Sequence, residues 1–144
     1  MCGIGGCSEG SKISPVFKRN FERFRSRGPD WSGYETINGF KFGHHRLAII
    51  DLDRRASQPM TRGDWTICFN GEIYNYKELK SEYLADVDLS TSGDTEILIN
   101  LWIKFGVECL EYLKGMWAFS IYNSQSGELF LVRDTFGIKP LYYS

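Results

Sequence analysis

The chain lacks any apolar run approaching the roughly 18 consecutive residues that a membrane-spanning helix requires. Its opening residues, Met1-Cys2-Gly3-Ile4-Gly5-Gly6, have neither the basic stretch nor the apolar core of a secretory leader, so a protein retained in a reducing cytoplasm is expected. Excess charge of one sign is also missing: 17 Lys and Arg balance 18 Asp and Glu, for a net charge of −1. That balance leaves no electrostatic footprint for nucleic acid or for an acidic membrane surface. Histidine is scarce. His44 and His45 stand side by side on a strand-like stretch, where neighbours point to opposite faces, so they are poorly placed to share a metal and no metal site is expected. The four cysteines (Cys2, Cys7, Cys68, Cys109) contain no C-x-x-C pair, and a disulfide framework belongs to exported chains. Cys7, Cys68 and Cys109 read as small buried apolar residues. Repeats, low-complexity tracts and linkers are absent as well, so 144 residues read as one continuous domain.

What is present is ordinary globular material, 42% hydrophobic and 24% charged, with a generous 15% of aromatics to fill a core. Ser14-Pro15 looks like a helix opening, with a capping hydroxyl before a proline, and Val16, Phe17, Phe21 and Phe24 follow at helical spacing until Gly28-Pro29 stops them. Asn38-Gly39 is a strong hairpin signal between strands predicted over 34–37 and 40–50. A third strand is expected from about Trp65 to Phe69, and Asn75 with Glu78 resembles a capping box for a short helix through Leu84. A second helix follows Asp94, with Ile97, Leu98, Leu101, Trp102 and Phe105 on one face and Gly106 at its end. Residues 117–122 and 128–132 form another hairpin, and Leu141-Tyr142-Tyr143 reads as a strand just beginning, so the pattern breaks off mid-element. Hairpins with helices clustered between them, and no βαβ alternation, argue an α+β fold with antiparallel sheets.

Cys2 carries the most chemical information. Removal of Met1 would give this residue both a thiol, with a free pKa near ~8.5, and an α-amino group, near ~7.7–8.0. One residue then supplies nucleophile and base together. Gly3, Gly5 and Gly6 would allow a tight turn and a close substrate approach beside it. Asn70-Gly71-Glu72 offers a side-chain amide next to a glycine N–H, the makings of an oxyanion hole, although the same dipeptide also suits a hairpin turn. Arg46, followed by Leu47-Ala48-Ile49-Ile50, could grip a carboxylate through paired hydrogen bonds or simply face solvent at a sheet edge. Asp94 could receive an ammonium or cap its helix. Arg133, Asp134 and Lys139 read as a salt-bridged turn, and His44 and His45 as structural, with a Cys–His dyad as the alternative.

Taken together, Met-Cys-Gly-Ile, Arg27-Gly28-Pro29-Asp30, the stretch from His45 to Leu52, Gln58-Pro59-Met60, the stretch from Phe69 to Tyr76, Asp94-Thr95-Glu96, Gly115 to Phe119, and Arg133-Asp134 with the run from Gly137 to Tyr143 stand in one order. In that order they resemble the class II glutamine amidotransferases, whose nucleophile is an N-terminal cysteine. Arg-Gly-Pro-Asp and Gln-Pro-Met resemble the asparagine synthetase branch in particular. The resemblance implies a four-layer α/β/β/α sandwich with two antiparallel sheets. It implies Cys2 as nucleophile, Asn70 and Gly71 as oxyanion donors, and Arg46 as the clamp on a glutamine α-carboxylate. Glu72 and Asp94 would receive the α-ammonium, and Leu47, Ile49 and Ile50 would line the pocket.

The activity implied is hydrolysis of L-glutamine to glutamate and ammonia through a Cys2 thioester, with the ammonia passed to a synthetase domain or subunit. Residues 1–144 would be a glutaminase domain incomplete at its C-terminal end, without the synthetase domain. No cofactor is expected here, since ATP and Mg belong to that other domain and no Ser-Gly-Gly-x-Asp-Ser loop occurs in the chain. Three competing readings are the glutaminase half of a related amidotransferase with a different ammonia acceptor, a non-catalytic module that binds glutamine or a partner, and a thiol sensor using Cys2 and Cys7.

Overall fold

Asn38 and Gly39 both adopt positive φ, 46° and 79°, the paired left-handed geometry of a tight hairpin turn. They join β2 (Trp31–Ile37) to β3 (Phe40–Arg46), and β1 (Gly3–Ser8) lies antiparallel along the other side of β3, giving a sheet of order β1-β3-β2. In the computed structural model, which describes residues 1–144, a second antiparallel sheet has the order β4-β5-β6-β7. Its strands are Met60–Arg62, Trp65–Ile73, Gly115–Asn123 and Leu129–Arg133.

Alternation along β3 sorts its side chains between two layers. Phe42 meets Cys68 of β5 and Tyr122 of β6 between the sheets, and His44 Nε2 lies 3.3 Å from the Phe69 carbonyl. On the opposite face, His45 stacks on Phe21 at 4.4 Å, with Nε2 against the Phe21 carbonyl and Nδ1 2.8 Å from Ser32 Oγ. Phe21 belongs to the short helix α1 (Phe17–Phe21), flanked by tighter 3-10 turns over Ser14–Val16 and Glu22–Arg27. Beyond the second sheet, α2 (Tyr76–Tyr83) and α3 (Asp94–Phe105) bury Leu79, Leu98, Leu101 and Trp102 against Ile67, Phe69, Phe119 and Ile121. The result is helix, sheet, sheet, helix, an α+β arrangement in four layers. The largest apolar cluster lies under α2 and α3 rather than between the sheets.

Several local expectations change. The first helix is one short α turn between 3-10 segments, and Ser14 makes no side-chain cap; its carbonyl accepts from Lys41 Nζ instead. Gly5 and Gly6 sit in regular strand and make no turn. A Cβ on Gly5 would come within 2.8 Å of the Phe21 ring, and one on Gly6 within 2.8 Å of Phe40, so both are flat packing surfaces. Strand β3 stops at Arg46, because its neighbours β1 and β2 reach no further than Gly3 and Trp31 along it. Leu47-Ala48-Ile49-Ile50 is therefore a loop. Strand β5 runs on to Ile73 and absorbs Asn70 and Gly71. Asn75 precedes α2 but spends its amide on the Tyr112 carbonyl and the Lys114 N–H, leaving the helix uncapped by its side chain. Leu141–Tyr143 forms no strand. No helix is long and apolar enough to cross a membrane.

Candidate active site

The register of β5 against β6 sets Asn70 opposite Ala118, Gly71 opposite Trp117 and Glu72 opposite Met116. Gly71 has a steric reason to be glycine: a Cβ there would lie 2.3 Å from the Met116 carbonyl oxygen and 2.7 Å from Trp117 Cα. Asn70 is buried, its Oδ1 lacks any partner, and its Nδ2 donates to no group of the chain. The donor end of that amide is thus available to a ligand.

Cys2, immediately before β1, reaches the same place from the other sheet. Its Sγ accepts the Leu47 N–H at 3.4 Å and lies 3.8 Å from the Leu47 carbonyl. Burial pushes the Cys2 thiol up, against the opposing pull of the Leu47 N–H and nearby positive charge. A thiol held protonated in this way needs a base to become a nucleophile. With Met1 attached, the Cys2 nitrogen is an amide and cannot be that base. The Met1 side chain lines the cavity, its Sδ 2.9 Å from Lys139 Nζ.

Arg46 ends β3 and is 6% exposed. Nη1 donates to the Asp53 carbonyl at 2.8 Å and to Ser57 Oγ at 3.4 Å, and Nη2 donates to the Asp51 carbonyl, which leaves Nε–H and a second Nη2–H without partners in the chain. Glu72 and Asp94 form the opposite pole. Asp94 opens α3, with Gly93 rather than Asp94 in the capping position, and Oδ2 accepts the Ile73 N–H at 3.1 Å. Burial, and beyond it the Glu72 carboxylate, raise Asp94 to about 6. Neither carboxylate makes a salt bridge within the chain, so a ligand cation between them would be welcome.

Cys2, Arg46, Leu47, Ile49, Ile50, Asn70, Gly71, Glu72 and Asp94, all singled out from the sequence, line one cavity of about 110 Å³. It has an unsatisfied guanidinium edge, two uncompensated carboxylates, and a thiol and an amide donor in a single small space. That combination suits an α-amino acid zwitterion carrying an electrophilic side chain. His44 and His45 do not line it, which removes the Cys–His dyad, and Cys7 packs instead with Phe17 and Phe21.

Gln58, Thr91, Thr95 and Met116, to which the sequence assigned no role, also line the cavity, as does Lys139, expected only in a salt-bridged turn. Gln58 Oε1 accepts the Phe69 N–H at 2.6 Å while Nε2 donates to Thr95 Oγ1, linking β5 to α3; only its place in Gln-Pro-Met hinted at it. The expected salt-bridged turn is absent. Asp134 accepts the N–H groups of Trp117, Phe136, Ile138 and Lys139, and although burial works the other way, these bonds hold it below the usual carboxylate range.

A family model described as the glutamine amidotransferase domain matches residues 1–144. The chain belongs to the glutamine amidotransferase domain family. Among its relatives, a putative glutamine-hydrolysing asparagine synthetase 2 of Methanocaldococcus jannaschii is 37% identical over 99% of this chain and 32% of its own length. Glutamine-hydrolysing asparagine synthetase 1 of Saccharomyces cerevisiae is 37% identical over 99% of the chain and 25% of its own length. Asparagine synthetase B of Escherichia coli is 39% identical over 82% of the chain. This amidotransferase domain thus spans about a quarter to a third of the first two relatives' lengths. In fold it resembles the glutamine phosphoribosylpyrophosphate amidotransferase of B. subtilis, with a TM-score of 0.57 and 23% identity over 92% of this chain and 30% of that one.

Proposed function

We propose that this chain is the glutaminase domain of a glutamine-hydrolysing asparagine synthetase and cleaves L-glutamine to L-glutamate and ammonia. The observation that carries the reading is the convergence of Cys2, Asn70, Arg46, Glu72 and Asp94 on one cavity. Arg46 takes the substrate α-carboxylate on its Nε edge, and Glu72 with Asp94 takes the α-ammonium. The carboxamide then lies towards Cys2 and Asn70. After Met1 is removed, the α-amine of Cys2 accepts the thiol proton and the sulfur attacks the carboxamide carbon. The Asn70 amide and the Gly71 N–H receive the negative charge that develops on oxygen. Collapse expels ammonia, protonated by the same amine, and leaves a glutamyl thioester on Cys2. Water activated by that amine hydrolyses the thioester to glutamate.

Ammonia made here would pass to a synthetase domain or subunit outside residues 1–144, where ATP and Mg would serve amidation of aspartate. Support for that acceptor comes from the relatives' names and from the larger share of their length that this chain does not cover. Four free cysteines fit a reducing cytoplasm.

The test is glutamate and ammonia release from glutamine by Met1-processed chain, beside Cys2→Ala. Turnover by the processed chain and none by Cys2→Ala is expected. Glutamine binding without turnover would favour a non-catalytic module, and full activity of Cys2→Ala would remove the mechanism.

A further inference from the structure

Asp51 does not line the cavity, yet it bonds Arg46 at one pole and the segment that leads into Asp94 at the other. It is a non-glycine residue at positive φ, 54°, a conformation that L-residues other than Asn and Asp seldom hold. Its carbonyl accepts from Arg46 Nη2. Its carboxylate reaches across to the segment that leads into α3: Oδ2 accepts the Ser92 N–H at 2.6 Å and the Ser92 hydroxyl at 3.1 Å, while Oδ1 accepts the Asp53 N–H at 2.9 Å. Gly93, next in the chain, passes so close that a Cβ on it would lie 3.8 Å from Asp51 Cβ. Asp94 follows directly. One residue therefore ties the Arg46 guanidinium to the backbone that delivers Asp94, two groups otherwise carried by different elements.

The carboxylate is well suited to this. The Ser92 N–H, followed by the Asp53 N–H, holds it below the usual carboxylate range, so it is ionised at neutral pH and its bonds are charge-assisted.

We propose that Asp51 is a positioning residue that sets the separation between the carboxylate-receiving Arg46 and the ammonium-receiving Asp94, and so makes the site selective for a free α-amino acid. The inference rests on the proposed glutaminase reading and deepens it. Cutting the Asp51–Ser92 tie moves the ammonium pole relative to Arg46 but leaves Asn70 in strand β5 and Cys2 on the Leu47 N–H at the start of β1. Its cost falls on substrate recognition.

The experiment compares L-glutamine with 4-carbamoylbutanoate, which keeps the carboxylate and the carboxamide but has no α-ammonium, in processed wild type, Asp51→Asn and Ser92→Ala. Asparagine tolerates positive φ, yet it cannot offer acceptors to both the Ser92 and Asp53 N–H groups. Asp51→Asn is expected to raise KM for glutamine about tenfold, keep kcat within about twofold, and reduce the preference for glutamine over the analogue about tenfold. Ser92→Ala, which loses only the hydroxyl arm, should shift the preference the same way by a smaller factor, and it carries the test if Asp51→Asn does not fold. An unchanged preference, or kcat falling equally for both substrates, overturns the positioning role while the glutaminase reading stands. Wild type that leaves glutamine intact removes that reading and this inference with it.

Discussion

Strand β5 and the loop over residues 47–57 both line the cavity, but they are held in place by different means. The Asn70–Glu72 end of β5 is fixed by ladder pairing along β6. The loop has no ladder partner apart from local turns, and it is pinned by side chains: Arg46 to the Asp51 and Asp53 carbonyls, Asp30 to the Ala48 N–H, and Asp51 to Ser92. On the proposed mechanism, the difference separates two tasks. Donors for a transition-state charge must not shift by fractions of an ångström, and a paired strand suits them. Recognition of a substrate's charged end tolerates adjustment, and beyond Leu47, whose N–H meets the Cys2 sulfur, a loop held by polar contacts can be tuned while the strand donors stay in place.

Substitutions on the two walls should therefore show different kinetic signatures. The largest effect is expected on the strand side. Asn70→Ala should lower kcat for glutamine by on the order of 10²–10³ with KM little changed, as measured by steady-state ammonia release. A rise confined to KM would instead make Asn70 a binding group. On the loop side, Arg46→Ala should raise KM by about ten- to hundredfold, the loss expected for a charge-assisted pair, with a much smaller effect on kcat. An unchanged KM would mean that the Asp51 and Asp53 carbonyls are the whole purpose of Arg46.

The smallest effect is a pH dependence of glutamine binding. Asp94 sits at about 6, raised by burial, so below that pH it is neutral and cannot receive an ammonium. Glutamine affinity, read by calorimetry on Cys2→Ala, should weaken as pH falls through about 6 and recover above it. Asp94→Asn should flatten that profile. The same raised pKa works in the opposite sense on folding: the protonated form is favoured in the folded chain, so this group's contribution to stability is present at low pH and lost as pH rises through about 6.

Much of this arrangement is legible in the residues. Helix α3 shows its buried face in Ile97, Leu98, Leu101 and Trp102, and Gly106 ends it at φ 59°. The hairpin at Asn38-Gly39 follows from its dipeptide. The identical dipeptide at 70–71 sits in extended strand, however, because there the glycine accommodates the close approach of β6 instead of a turn. Local sequence cannot separate those two uses, since the deciding contact comes from Met116 and Trp117 more than 40 positions away. The apolar run after Arg46 misleads for a related reason. Its composition suits a strand, but no partner strand extends alongside it. The Asp51–Ser92 and Gln58–Thr95 ties join residues far apart in the chain, and no periodicity or spacing marks them.

On the proposed mechanism Cys2, once its α-amine is free, carries the acyl group of the substrate. Acid-quenched turnover of L-glutamine followed by mass spectrometry of the N-terminal peptide tests it most directly. A glutamyl adduct on Cys2 in the processed chain, absent when Met1 is retained, is the predicted result. Steady glutamate production from processed chain with no adduct on Cys2 at any quench time, or an adduct on another residue, would contradict it.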